Sequence, residues 1–252
     1  MSTAGRYLVA VTRGIDPTAV TGREGIRNAP LRVVEAGGLQ AVVCDVDLDE
    51  FGEEPLRGHL EELAWVELMA RAHHAAVCAV DAAGTTVPMR FATIYESDER
   101  VAGQIRKLRG ALTEALDRVE GASEWSVKAY AAEAPSGEEE PPRDESGAAY
   151  LMRKRRAAEV RRAAELEQEE VLVAVHRRLA TLANGARWLM PQDPTLTGRK
   201  EPMRMNATYL VPHSAAESFV EYATSALADR PELRVEVDGP WPPYSFAVLE
   251  PA

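Results

Sequence analysis

Apolar residues recur along this chain with two periods, about two and about 3.6, and the switches between them predict most of its elements. Tyr7 to Val11 is a compact apolar run suited to a buried strand. Thr12 to Ala29 carries Pro17, Gly22 and Gly25, with Pro30 next, and reads as loop. Two β-branched runs, at 31–34 and 39–46, flank Ala36-Gly37-Gly38. That spacing predicts a hairpin, because glycine reaches positive φ without a Cβ clash. Residues 56–80 hold Leu60, Leu63, Trp65, Val66, Leu68, Met69 and Val77 on more than one side of a helix. Such a helix packs on a sheet and on something else as well. The run 87–95 reads as a strand with Pro88 near its start, where a lost donor is tolerable.

After Ser97 the helical period is clearest. Val101, Ile105, Leu108, Leu112, Leu116 and Val119 form one stripe, Asp98 and Glu99 sit in the first turn, and Gly121 ends the helix. A strand at 125–130 closes the block. Residues 1–131 are thus expected to be a ferredoxin-like α+β domain with helices on one face of a mostly antiparallel sheet. Residues 132–147, AEAPSGEEEPPRDESG, have little to bury and read as a flexible acidic linker.

The second domain, 148–252, is also expected to be α+β. It opens with a helical pattern over 148–183 that contains no Pro or Gly, roughly 50 Å long at ~1.5 Å per residue. Leu172, Val175, Leu179 and Leu182 give its second half a packing face, while the first half is rich in Arg and Glu. A strand at 205–211 follows. Ser214 to Glu217 has the form of a capping box, opening a helix that carries Phe219, Val220, Ala223 and Leu227. Leu233, Val235 and Val237 alternate with charged residues as in a half-buried strand, and a last strand is expected at 244–249 after a proline-rich loop.

Charge narrows the partners. Forty acidic residues against 29 basic ones give a net charge of -11, which repels nucleic acid phosphates and anionic lipid. No run approaches the ~18 apolar residues of a spanning helix, and MSTAGRYLVAV is not followed by a cleavable pattern. Cys44 and Cys78 each lie in an apolar segment and read as buried free thiols, which points to the cytoplasm.

Catalytic or metal chemistry leaves little trace. His73 and His74 are adjacent on a helix and point about 100° apart, unlike an i, i+4 ligand pair. Neither His-Glu-x-x-His nor Cys-x-x-Cys occurs. Thr21-Gly22-Arg23-Glu24-Gly25 and Thr197-Gly198-Arg199-Lys200 miss a Walker spacing and read as turns. No catalytic residue, metal ligand or cofactor site is assigned. The basic run Arg153-Lys154-Arg155-Arg156, with Arg161-Arg162, is countered by Glu159, Glu165, Glu167, Glu169 and Glu170. Arg155 with Glu159, and Arg161 with Glu165, have i, i+4 pairing distance, so the helix reads as solvated or protein-facing.

Several segments together resemble the GvpF/GvpL family of gas vesicle proteins. Tyr150-Leu151 followed by Arg153-Lys154-Arg155-Arg156 is similar to the opening of that family's second half. Pro88, Arg90 and Phe91 match its Pro-Leu-Arg-Phe-Gly-Thr strand, and Asn206 to Val211, with Tyr209, its central C-terminal strand. Gly239-Pro240-Trp241-Pro242-Pro243-Tyr244-Ser245-Phe246 matches its terminal signature without a change. Ala92 stands where the family carries Gly, and Ala10 where a Gly is common; both imply altered packing. The resemblance implies a two-domain α+β fold with a ferredoxin-like first domain. It also implies a non-enzymatic accessory or minor structural role in gas vesicles, the hollow shells used for buoyancy. The implied partners are the small shell protein GvpA and other accessory Gvp proteins, with a chaperone or nucleator role. Tyr150, Leu151, Arg153, Arg155 and Arg156 are the expected contact residues. Two other readings stay open on the sequence: a ligand-sensing or enzymatic ferredoxin-like protein, and a regulatory relative in a cell without vesicles.

Overall fold

Strand β1 (Ala4–Thr12) is the axis of the first sheet, and from Tyr7 to Thr12 every side chain is buried. A strand buried on both faces needs cover on both. These coordinates are a computed structural model that describes residues 4–132, 147–192, 199 and 201–248. β3 (Leu39–Asp47) pairs antiparallel with β1 from Ala4↔Asp47 to Thr12↔Gln40, with a bulge between Leu8 and Ala10. β2 (Arg32–Ala36) pairs with β3 across Gly37 and Gly38, whose φ values of 64° and 83° are the left-handed turn that the glycines anticipate.

On the other side of β1 lie two short pieces, β4 (Thr86–Pro88) and β5 (Ile94–Tyr95), rather than one strand over 87–95. The chain leaves the ladder between them because Ala92 sits at φ 61°. The sheet order β2-β3-β1-β4 is that of a ferredoxin-like sheet. Its first crossover is made by 3-10 turns at Pro17–Val20 and Ile26–Asn28 instead of a helix.

A short α1 (Leu48–Phe51) precedes the helix expected over 56–80, which is itself divided between α2 (Glu53–His59) and α3 (Leu63–Asp81). The break lets α3 lay Trp65, Met69, His73, Ala76, Val77 and Val80 on one face of the sheet, against Tyr7, Val42, Cys44 and Val46. Leu8, Ala41 and Val43 are equally buried but lie on the opposite side of the pleat. Helices α4 (Asp98–Lys107) and α5 (Arg109–Val119) cover them, contacting β1 to β4. Helices therefore lie on both faces, not one. Ser97 caps α4 by accepting from the Arg100 N–H, and Asp98 in the first turn holds Arg6 and Arg32 at 2.7 Å each. The stripe is interrupted at Leu108, yet Val101, Ile105, Leu112, Leu116 and Val119 all remain buried.

The second sheet is built from β6 (Ala122–Ala131), β7 (Gly185–Trp188), β8 (Met203–Pro212) and β9 (Leu233–Trp241), in the order β7-β8-β6-β9. Between β6 and β7 runs α6 (Gly147–Ala180), and between β8 and β9 runs α7 (Ala216–Ser225). That is a complete βαββαβ unit, again with ferredoxin-like order. Leu172, Val175 and Leu179 of α6, with Phe219 and Ala223 of α7, pack on Val127, Ala129, Met205, Ala207, Tyr209 and Val211. Each buried Val, Leu, Met or Phe among them contributes roughly 1.5–3 kcal/mol.

Three sequence expectations change here. β6 reads as the close of the first domain, but its ladder partners are β8 and β9 of the second sheet. The chain divides into one unit of Met1–Glu124 with Pro240–Ala252 and another of Trp125–Gly239, so the last residues return to the first unit. Local alternation identifies a strand but not its partner. Second, no strand occupies 244–248; the segment turns at 244–246, and β9 instead runs through Gly239 and Pro240 to Trp241. Proline is tolerated there because β9 is an edge. Third, α7 is preceded by a 3-10 turn at His213–Ala215 and has no side-chain cap, so Ser214 forms no capping box. Residues 133–146, the body of the expected linker, lie outside the described residues.

Candidate docking surface

Of the first unit's motif residues, Phe91 packs against a buried tyrosine–histidine pair that the neighbouring Ala92 also reaches. Pro88 ends β4 opposite Ala10, Arg90 is exposed, and Phe91 packs edge-on against Trp65 and His73. The Ala92 N–H donates to the Tyr7 hydroxyl at 2.9 Å, and that hydroxyl lies 3.1 Å from His73 Nδ1. The hydroxyl thus links the Ala92 amide to the His73 ring, and the histidine tautomer sets the direction of the second bond. Burial pushes the Tyr7 hydroxyl well above its ordinary value and the His73 imidazole down to about 4. Both groups are neutral at pH 7 and shut off from solvent, which suits a structural tie rather than proton transfer.

The second unit repeats the device. Tyr209, fully buried in β8, lies 2.7 Å from His176 Nδ1 on α6 and packs on Phe219. Burial again raises the tyrosine and lowers the histidine. Tyr209 is thus a core residue.

The terminal signature clasps the first unit. Trp241 packs on the His74 ring, and the Tyr244 hydroxyl lies 3.0 Å from His74 Nδ1. Pro242, Pro243 and Phe246 are buried. Ser245 donates its N–H and hydroxyl to Glu124 at 2.7 and 2.6 Å, and Arg118 donates to the Phe246 carbonyl at 2.9 Å. Gly239, at φ 146°, and Pro240 lead into the clasp from β9.

Cys44 is buried, as expected, whereas Cys78 is half-buried; neither is in a disulfide. Burial pushes Cys44 up to about 11 and raises Cys78 as well, whose sulfur lies 3.6 Å from His74 Nε2. Among the described residues no group of three or more His, Cys, Asp or Glu is placed to hold a metal. A depression in the second unit that the sequence does not announce is lined by Lys128, Tyr130, Gln192, Arg199, Glu236 and Asp238. Its arginine is already committed, to Glu236 at 2.7 Å and to the Tyr130 ring at 4.7 Å.

The expected contact residues share one exposed stretch of helix, spread around its circumference. Every residue of α6 from Gly147 to Glu167 is exposed, a length of roughly 30 Å at ~1.5 Å per residue. Tyr150, Leu151 and Met152 are 44%, 58% and 73% exposed, far more than their apolar character favours. The Arg153 guanidinium stands 5.6 Å from the Tyr150 ring centre and the Lys154 ammonium 6.0 Å. Arg155 and Arg156 are also exposed. Glu165, expected to pair with Arg161, binds Arg204 of β8 at 3.1 Å instead, and Glu167 binds Arg230 at 2.8 Å. Acids that balance the basic run in sequence are therefore partly consumed where the helix meets its own unit.

Comparisons with known proteins agree with this architecture. The family model "Gas vesicle synthesis protein GvpL/GvpF" matches residues 5–248. Gas vesicle protein L of Streptomyces sp. (strain CB03234) is 36% identical over 247 residues, covering 96% of this chain and 92% of that protein. Gas vesicle protein F1 of Halobacterium salinarum is 26% identical, covering 88% of this chain and 84% of its own. The crystal structure of GvpF from Anabaena sp. PCC7120 superposes with a TM-score of 0.69 at 19% identity, over 98% of this chain and 97% of that one. GvpF from Microcystis aeruginosa gives the same TM-score at 18% identity, over 97% and 99%. At these identities the two structures speak for the fold.

Proposed function

This chain belongs to the gas vesicle synthesis protein GvpL/GvpF family, and from that premise we propose that it acts in vesicle assembly by binding other proteins, without catalysis. The proposed partners are the shell protein GvpA and other Gvp accessory proteins, met in the cytoplasm and at the growing vesicle. The observation that carries this reading is the exposed first half of α6, where Tyr150, Leu151 and Met152 stand largely in solvent beside Arg153, Arg155 and Arg156. A small apolar shell subunit aggregates through exposed surface before it is assembled. A soluble partner that covers that surface and yields it at the shell edge serves as chaperone or nucleator. The protonated thiols and the closed Tyr7–His73 pair support a non-enzymatic role. Among the described residues no helix is long and apolar enough to cross a membrane.

The test is co-purification with GvpA. Replacing Tyr150, Leu151, Arg155 and Arg156 together by Ala leaves the melting temperature in place, because all four are exposed, and removes the capture. Undiminished capture by that variant would move docking off this helix. Deleting the gene and counting vesicles by electron microscopy tests the role itself.

A further inference from the structure

We propose that β7 is an open sheet edge that takes one short extended segment of a partner protein as a further strand of the second sheet. This goes beyond the helix surface above and does not rest on it: Leu166, at the near end of the site, lies ~15 Å along α6 from Arg156.

The edge is defined by hydrogen bonding. β7 ends the order β7-β8-β6-β9, and among the described residues no strand lies on its far side. The Leu189 N–H donates to the Asn206 carbonyl at 2.7 Å, and β7 pairs with β8 from Gly185↔Leu210 to Trp188↔Ala207. By the two-residue period of an antiparallel ladder, the N–H and C=O groups of Ala186 and Trp188 then point away from β8. The opposite edge, β9, is blunted by Arg234, Glu236, Asp238 and Pro240. At β7 the apolar residues Trp188, Leu189 and Met190 follow one another at 41%, 38% and 85% exposure.

Side chains decide what the added strand presents. Trp188 packs on the His176 ring of α6 at 5.0 Å, and with Leu166 and Leu172 it lines a groove beside the edge. The charges around that groove balance, Arg162 and Arg204 against Glu165 and Glu169, so it suits a neutral, apolar side chain. A strand paired to Ala186 and Trp188 turns every second side chain to their face of the sheet. The occupant is therefore an extended segment with apolar residues at alternate positions, held by its backbone. A second copy is a poorer fit. From Gly185 to Met190 the edge is roughly 20 Å long, and a strip ~10 Å wide buries on the order of 400 Å² over both sides, against roughly 1,200 Å² for a stable association. A short segment needs only the strip and the groove.

The experiment uses the full chain and two short labelled peptides in which Leu alternates with Thr. The first is N-methylated at its Thr amides, which leaves the Leu amides free to bond β7 and blocks self-association. Its twin is N-methylated at the Leu amides instead. By fluorescence anisotropy the first should bind at least about tenfold tighter than the twin and change little with salt. Amide hydrogen exchange should slow at Ala186 and Trp188. Ala186→Pro removes an outward donor without touching the β8 ladder, and Gly185 before it is not at positive φ. This variant should weaken the first peptide about tenfold at an unchanged melting temperature. Leu166→Lys, at a residue 55% exposed, should weaken it too, and serves where the proline variant does not fold. No binding of the first peptide, equal binding of the two, protection elsewhere, or binding unmoved by the variants would overturn the strand site. So would a dimer in analytical ultracentrifugation that Ala186→Pro dissociates, since the edge would then belong to a second copy.

Discussion

Ser245 delivers both its backbone N–H and its hydroxyl to one carboxylate, that of Glu124, across a sequence separation of 121 residues. Glu124 is 8% exposed, so its charge is stabilised chiefly by such donors. With the Arg118 bond to the Phe246 carbonyl, the pair fastens the terminal signature to the unit in which the chain begins. The signature is thus a clasp, and its conspicuous residues are structural.

Glu124→Ala removes the acceptor of two charge-assisted bonds and leaves the half-buried Ser245 N–H and hydroxyl without it. Such bonds are worth about 1.5–3 kcal/mol each, so a loss of roughly 3 kcal/mol is expected, less if water enters. Urea unfolding measures it, and limited proteolysis should show cleavage within 240–248 that the parent resists. A variant as stable and as resistant as the parent would mean that the buried prolines and Phe246 hold the segment alone.

Ala92 occupies the left-handed region at φ 61°, where a residue with a Cβ is strained by about 1–2 kcal/mol. Ala92→Gly relieves that strain but loosens the unfolded chain, which offsets about 0.4–1 kcal/mol. The net gain should be about 0.5–1 kcal/mol, or roughly 2–3 °C in melting temperature for a chain of this size. The amide that donates to Tyr7 is unchanged. A lower melting temperature would mean that the Ala92 methyl makes a contact worth more than the strain.

The gain also bears on what the sequence can reveal. Glycine at Gly37 and Gly38, the stripe from Val101 to Val119 and the Ser97 cap are local, and each was legible because a short-range rule decides it. At position 92 the family's glycine was visible only as a departure; its cause, a turn that splits the strand into β4 and β5, needs the Tyr7 hydroxyl on a distant strand. β6 was visible as a strand, yet its sheet depends on β8 and β9, which lie far along the chain. Nothing near Glu124 in sequence announces Ser245 as its partner. Of the candidate surface, the basic run and Tyr150-Leu151-Met152 were legible, whereas their exposure depends on where α6 leaves its own unit.

His73 gives the stability a pH dependence with a definite sign. Its imidazole, buried beside the Tyr7 hydroxyl, protonates near 4 when folded against an ordinary 6.5. As pH falls from about 6.5 towards 4 the unfolded chain takes up a proton that the folded chain refuses, so stability falls, by up to roughly 3 kcal/mol. Above about 6.5 the contribution is complete and flat. Urea midpoints at pH 7.5, 5.5 and 4.5 should decline more steeply for the parent than for His73→Gln, whose amide does not titrate. Parallel declines would assign the acid sensitivity to carboxylates such as Asp98 and Glu50, held low by Arg32 and Arg27.

The two halves of α6 should differ in stability as sharply as they differ in packing. Leu172, Val175 and Leu179 tie the second half to its sheet, so its amides open only with the unit. From Gly147 to Glu167 the helix has propensity from Ala, Leu, Arg and Glu, but every residue of it is exposed. Its amides should therefore exchange by local fraying, with protection rising towards Leu172. Ala158→Gly costs about 1 kcal/mol of local helix stability and should speed exchange around it about fivefold, leaving the global urea midpoint unmoved. Leu172→Ala should do the opposite, lowering the global midpoint by about 2–5 kcal/mol in stability. If Ala158→Gly also lowered the global midpoint, the first half of α6 would have to be packed in the free protein and could not serve as an open docking surface.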